Sequence, residues 1–168
     1  NYITNLLVSL SDAYSNIKFN NSWEYVSYKI KRNSLATEFD YLDLIEEIKN
    51  IIQEFKQAAI NSIEAGFDGI ELHSAFGYLP NQFLADSSNQ RNDMYGGNIE
   101  NRNRFVLNVM RAMVDAVGEN KVGIRLSPTS TYNSIIHNDI IEQFTGLIKE
   151  LNKLPLSYIH LMNVPFPA

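Results

Sequence analysis

Three short apolar runs, each following a long amphipathic stretch, constrain this chain more than any other feature. They are residues 67–72 (FDGIEL), 121–126 (KVGIRL) and 157–162 (SYIHLM). Before the first, Leu44, Ile45, Ile48, Ile51, Ile52, Phe55, Ala58, Ala59 and Ile63 recur at steps of three and four, the stripe of a helix that starts near Asp40 and leaves at Gly66. A second helix is expected from Asn98, an N-cap residue with Glu100 in its first turn, to Gly118. A third spans roughly 139–153 and stops at Pro155. Apolar strands alternating with helices imply a parallel α/β sheet buried on both faces. The first two strands lead into long polar loops (73–97 and 127–137), whereas the helix-to-strand connections are brief. That asymmetry is the pattern of a (β/α)8 TIM barrel, whose chemistry gathers at the C-terminal strand ends. A doubly wound sheet keeps a related rule, but no GxGxxG turn is present to support a dinucleotide fold.

Composition narrows the function. The 168 residues allow one domain with a core, and 45% apolar with 20% charged residues is ordinary for a globular chain. A net charge of −5 gives no basic footprint for nucleic acid. There is no cysteine, and the three histidines (73, 137 and 160) are scattered, so no metal site is expected. No apolar stretch approaches a membrane span and no signal peptide is visible, so a cytoplasmic protein is expected. Residues 1–36 are a separate, poorly patterned segment in which 23–30 (WEYVSYKI) suggests a strand or hairpin arm; residues 37–168 form the barrel portion. The start at Asn1 and the end at VPFPA suggest a piece of something longer.

Candidate chemistry sits at the strand ends. The first offers His73 and Tyr78, the second Arg125, the third His160 and Asn163. A cation, a histidine and a tyrosine at one barrel mouth could hold an electron-rich planar ligand and move a proton. Each also has a structural explanation. A strand-end histidine can be a satisfied structural residue, a loop tyrosine can simply pack, and an arginine among apolar residues makes either an ion pair or a ligand contact. His137 and His160 are assigned to structure. The 79–105 loop is dense in polar residues but anchored by Phe83, Leu84 and Tyr95. Gly96–Gly97 is expected to turn at positive φ, and Arg91, Asp93, Glu100 and Arg102 to form a local ion-pair network.

The run AGFDGIELHSAFGYLPNQFLADSSNQRNDMYGGNIENRNRF, followed by VGIRLSP, resembles the Old Yellow Enzyme family of FMN-dependent ene-reductases, known as NADPH dehydrogenases or NADH:flavin oxidoreductases. The likeness covers about Leu35 to Asn163 and is strongest from Ala65 to Pro128. It implies an FMN-bearing (β/α)8 barrel that takes hydride from NADPH or NADH and reduces the activated C=C bond of a small electrophilic alkene. Carried onto this chain, it implies that His73 binds the substrate's carbonyl or nitro oxygen. Tyr78 would bind substrate and act as catalytic proton donor, and Arg125 would contact the flavin's pyrimidine side.

Two departures stand out. The family's second oxygen donor, an Asn or His three residues after the first histidine, is Phe76 here, which cannot donate. A barrel of this kind takes about 250 residues, and the three strands correspond to the fourth to sixth of the family. The chain is therefore expected to be a partial barrel of about three central βα units. An alternative is a non-catalytic remnant without a complete flavin site, prone to self-association or to pairing with a complementing chain through its open edges. An aldolase-like barrel is disfavoured because no lysine lies at a strand C-terminus; Lys121 begins its strand.

Overall fold

The computed structural model describes residues 38–163; the strand or hairpin expected at 23–30, and all of 1–36, lie outside them. Eight elements follow in order: α1 (Glu38–Glu64), β1 (Ile70–Ser74), α2 (Leu79–Leu84), α3 (Ile99–Val117), β2 (Val122–Leu126), a 3-10 turn (Tyr132–Ser134), α4 (Ile140–Leu151) and β3 (Tyr158–Leu161). The strands form one parallel sheet in the order β1-β2-β3. Each helical crossover moves the chain one strand onward in the same direction, with no reversal of order, as in an arc of a barrel.

The period of two in a strand divides the sheet into two unlike faces. Leu72, Ile124 and Ile159 are register partners and join the apolar layer under the helices. That layer is built around Phe105, whose ring stacks on Phe83 at 4.1 Å and meets the edge of Phe55 at 6.3 Å. The alternate residues, Glu71 and His73, Gly123 and Arg125, Tyr158 and His160, occupy the opposite face. The expectation of strands buried on both faces therefore holds for β2 and fails for the outer two. In β3 no residue is fully buried, because it is an edge among the described residues.

Helix ends follow local chemistry. Gly66, at φ +95°, closes α1: its N–H reaches Ile63 O and that of Phe67 reaches Ser62 O, the paired bonds of a glycine-terminated helix. Phe67 was expected inside the strand, but it lies in this exit, 66% exposed, and the strand begins three residues later. Asn98 caps α3 as expected, its Oδ1 accepting from Asn101 N at 2.9 Å. Asp139 precedes α4 without capping it, because its carboxylate is drawn to Arg102 instead.

The anticipated charge network in the long loop is only partly local. Arg91 pairs with Asp93, and Glu100 pairs with Arg104 rather than Arg102. Arg102 reaches across the fold. It donates to Leu84 O (3.0 Å), Gly97 O (2.6 Å), Asp139 Oδ2 (2.5 Å) and Gln143 Oε1 (2.8 Å), tying α2 and the glycine turn to α4. Of the two turn glycines only Gly97 has positive φ; a Cβ on Gly96 would lie 2.3 Å from Arg91 O, so close approach sets that position.

Candidate active site

His73 and Arg125 are direct register partners on adjacent strands, one residue before each strand ends, so both project from the non-helical face at the C-terminal end of the sheet. Beyond β1 the chain makes a tight turn through two consecutive left-handed residues, Phe76 (φ +53°) and Gly77 (φ +79°). Glycine is required at the second: a Cβ would meet that of Asn133 at 2.7 Å. Phenylalanine at the first costs about 1–2 kcal/mol of backbone strain. The turn returns Tyr78 toward the strand, with its ring centroid 4.8 Å from that of His73, and Pro80, the second residue of α2, sits in the helix's first turn with its preset φ. The loop expected to run unbroken from His73 to Gly97 thus contains one short helix.

Four side chains grip the backbone of this turn. Phe76 N–H donates to Ser127 Oγ (2.8 Å) and Phe76 O accepts from Asn133 Nδ2 (2.8 Å). Gly77 N–H donates to Asn81 Oδ1 (2.8 Å) and Gly77 O accepts from Gln82 Nε2 (2.8 Å). Asn81 and Gln82 are 1% and 2% exposed, unusual burial for amides; each makes one bond to the Gly77 peptide, while Gln82 Oε1 is buried with no hydrogen-bond partner among the described residues. None of these four was singled out from the sequence. A signal existed in two polar residues following a proline directly between apolar neighbours, but their partners lie in another loop.

Electrostatics differ among the candidates. Burial, helped by the nearby Arg125 charge and opposed by Glu71, holds the His73 pKa below the ordinary histidine value, so the ring is neutral at neutral pH. Arg125 Nη2 donates to Met162 Sδ at 3.0 Å, and the guanidinium carbon lies 5.3 Å from the Phe76 ring centroid. Its Nε is buried with no hydrogen-bond partner, and among the described residues no carboxylate pairs with it. Tyr78 is 55% exposed. Phe76 also meets Tyr132 edge-on at 6.3 Å, so an aromatic wall stands where a second donor was sought.

The remaining histidines keep the structural places expected of them. His160 Nδ1 lies 3.1 Å from Glu71 Oε2, bridging β3 to β1 across Gly123, over which the Tyr158 ring lies. His137 is buried, with Nε2 3.2 Å from Asn81 Nδ2. No group of acidic or histidine side chains among the described residues could hold a metal ion, and no helix among them is long and apolar enough to cross a membrane. A groove of about 430 Å³ lies between α1 and β1, lined by Phe55, Phe67, Ile70, Leu72 and Met113 and reaching His73.

A sequence model of the NADH:flavin oxidoreductase / NADH oxidase family matches residues 25–166. Chanoclavine-I aldehyde reductase ifgG of Penicillium roqueforti is 49% identical over 119 residues, covering 70% of this chain and 32% of that protein. 12-Oxophytodienoate reductase 1 of Oryza sativa subsp. japonica is 47% identical over 118 residues (70% and 31%). The same identity and coverage hold over 120 residues for a Claviceps fusiformis protein named "probable inactive dehydrogenase easA". Among solved structures, an old yellow enzyme homologue from Zymomonas mobilis matches with a TM-score of 0.68 and 32% identity, over 69% of this chain and 33% of that one. The chain spans about a third of the length of the relatives it matches.

Proposed function

The chain belongs to the NADH:flavin oxidoreductase / NADH oxidase family, the Old Yellow Enzyme group, and from that premise we propose that it supplies the substrate-facing arc of an FMN-dependent ene-reductase barrel. The complete protein would take reducing equivalents from NADPH or NADH and reduce the activated C=C bond of a small electrophilic alkene in the cytoplasm. The observation that carries this is the convergence of His73, Tyr78 and Arg125 at one end of the sheet, with His73 and Arg125 in register and the His73 and Tyr78 rings 4.8 Å apart. Two relatives bear names of carbonyl compounds, an aldehyde and an oxo-dienoate, which favours a conjugated carbonyl substrate.

The residues present fit the flavin at one edge. The buried, unpartnered Nε of Arg125 suits an acceptor on an electron-rich ring, and its fixed positive charge favours an anionic form of that ring. When bound, FMN supplies the hydride. His73, kept neutral, donates one ring N–H to the carbonyl oxygen and draws charge onto it. The Tyr78 hydroxyl gives its proton to the carbon α to that carbonyl. Phe76 adds no second donor, so the oxygen is held from one side and the Phe76–Tyr132 wall borders the other.

A second reading has its own support: among the described residues the three strands leave two sheet edges unpaired, with Tyr158 and Leu161 exposed on one, and a named relative is described as inactive. On it the chain is a non-catalytic remnant that self-associates or awaits a complementing chain. Purifying the chain with added FMN and titrating it with NADPH separates the two. Retained flavin that bleaches with NADPH and is reoxidised by an enone supports the reductase; a colourless protein supports the remnant.

A further inference from the structure

The mechanism uses Tyr78 but leaves unexplained why a histidine is buried beneath its turn. His137 is 7% exposed, stands 59 residues after Tyr78, and meets Asn81 and Phe144, neither of which is assigned to substrate or flavin. We propose that His137 is a positioning residue for Tyr78, acting through the Asn81 amide on the Gly77 peptide.

The chain of contacts is short and each link fixes the next. Asn81 Oδ1 accepts from Gly77 N–H at 2.8 Å, which sets the orientation of the amide and turns Nδ2 toward His137. Nδ2 can only donate, so Nε2 of His137, 3.2 Å away, is the acceptor and the ring proton sits on Nδ1. Nδ1 is buried without a partner, so the tautomer is selected by the Asn81 contact alone. The ring cannot swing away, since the edge of Phe144 packs against it at 5.0 Å between centroids. Gly77 is thus held from both sides, by Asn81 at its N–H and by Gln82 at its O, and Tyr78 is the next residue. Ser127 and Asn133 hold Phe76 in the same way. The loop after β2 therefore builds the turn that presents the hydroxyl of the loop after β1.

The proposal rests on the role given to Tyr78, but its test does not use catalysis. In the full chain labelled with 15N-histidine, His137 should show a protonated Nδ1 and a bare Nε2; the opposite tautomer overturns the proposal. His137→Leu should speed hydrogen exchange of the Gly77 amide about three- to tenfold, the loss of one ordinary hydrogen bond, and should shift the Tyr78 ring resonances. His137→Gln, whose side-chain oxygen can accept from Asn81, should restore both. If His137 merely filled space, the two variants would behave alike, and that result also overturns the proposal. Should the leucine variant fail to fold, the tautomer and the glutamine variant decide. A Tyr78→Phe protein with unchanged proton delivery would refute the catalytic assignment while leaving these spectra to judge the positioning.

Discussion

The guanidinium of Arg125 lies over the face of Phe76, 5.3 Å from its centroid, and the same ring stands 6.1 Å from that of His73. On the proposed function Phe76 has two effects: it leaves the substrate oxygen without a second donor and gives the arginine a ring to rest on.

Replacing that ring tests both effects. Phe76→Asn puts a donor beside His73 at a left-handed position that asparagine tolerates better. Turnover of an enone by flavin-loaded protein should rise by about 10²-fold, the scale of one oxyanion donor. An unchanged rate would mean that the single His73 contact suffices.

Tyr78→Phe separates the half-reactions. Its hydroxyl is proposed to deliver a proton to substrate, so stopped-flow reoxidation of reduced flavin by an enone should slow by about 10²-fold or more, while bleaching by NADPH keeps its rate. Equal slowing of both steps would place Tyr78 at the flavin rather than at the proton transfer.

Arg102 should matter to stability more than any other charge in the described residues. It is 5% exposed and joins α2, the Gly97 turn and α4. Arg102→Met strands Asp139 and Gln143, at a cost of about 3–5 kcal/mol, the range for breaking a buried pair from one side. Urea unfolding of variant and wild type at equal protein concentration measures it.

Acid should loosen the turn. Burial lowers the His137 pKa to about 4, outweighing Asp86 and Asp139, which raise it, and joined by Arg102, which lowers it. The unfolded histidine titrates near 6.5 and so binds its proton first as pH falls. The stabilising contribution is thus complete above about 6.5, declines between there and about 4, and totals roughly 3 kcal/mol. The difference in unfolding free energy between wild type and His137→Gln, followed from pH 7 to 4, should shrink by that order; a constant difference would show that the ring is not buried as a neutral base.

Elements with strong periodicity were legible in the sequence because their cause is local. The α1 stripe, the Asn98 cap and the placing of Arg125 one residue before its strand end depend on neighbours within a turn or a strand. What was missed depends on partners far along the chain. Asp139 was expected at the start of its helix and does precede it, but its carboxylate serves Arg102, 37 residues away. The buried amides of α2 make sense only once Gly77 has folded back and His137 has arrived from 56 residues beyond Asn81. Phe67 looked like strand because apolar character alone cannot tell a helix exit from the first residue of a sheet.

The single-direction order of the three strands carries an arithmetic consequence. Copies of a three-strand arc joined edge to edge supply six strands or nine, and never eight. An eight-strand parallel barrel that contains this arc therefore needs strands from outside the described residues.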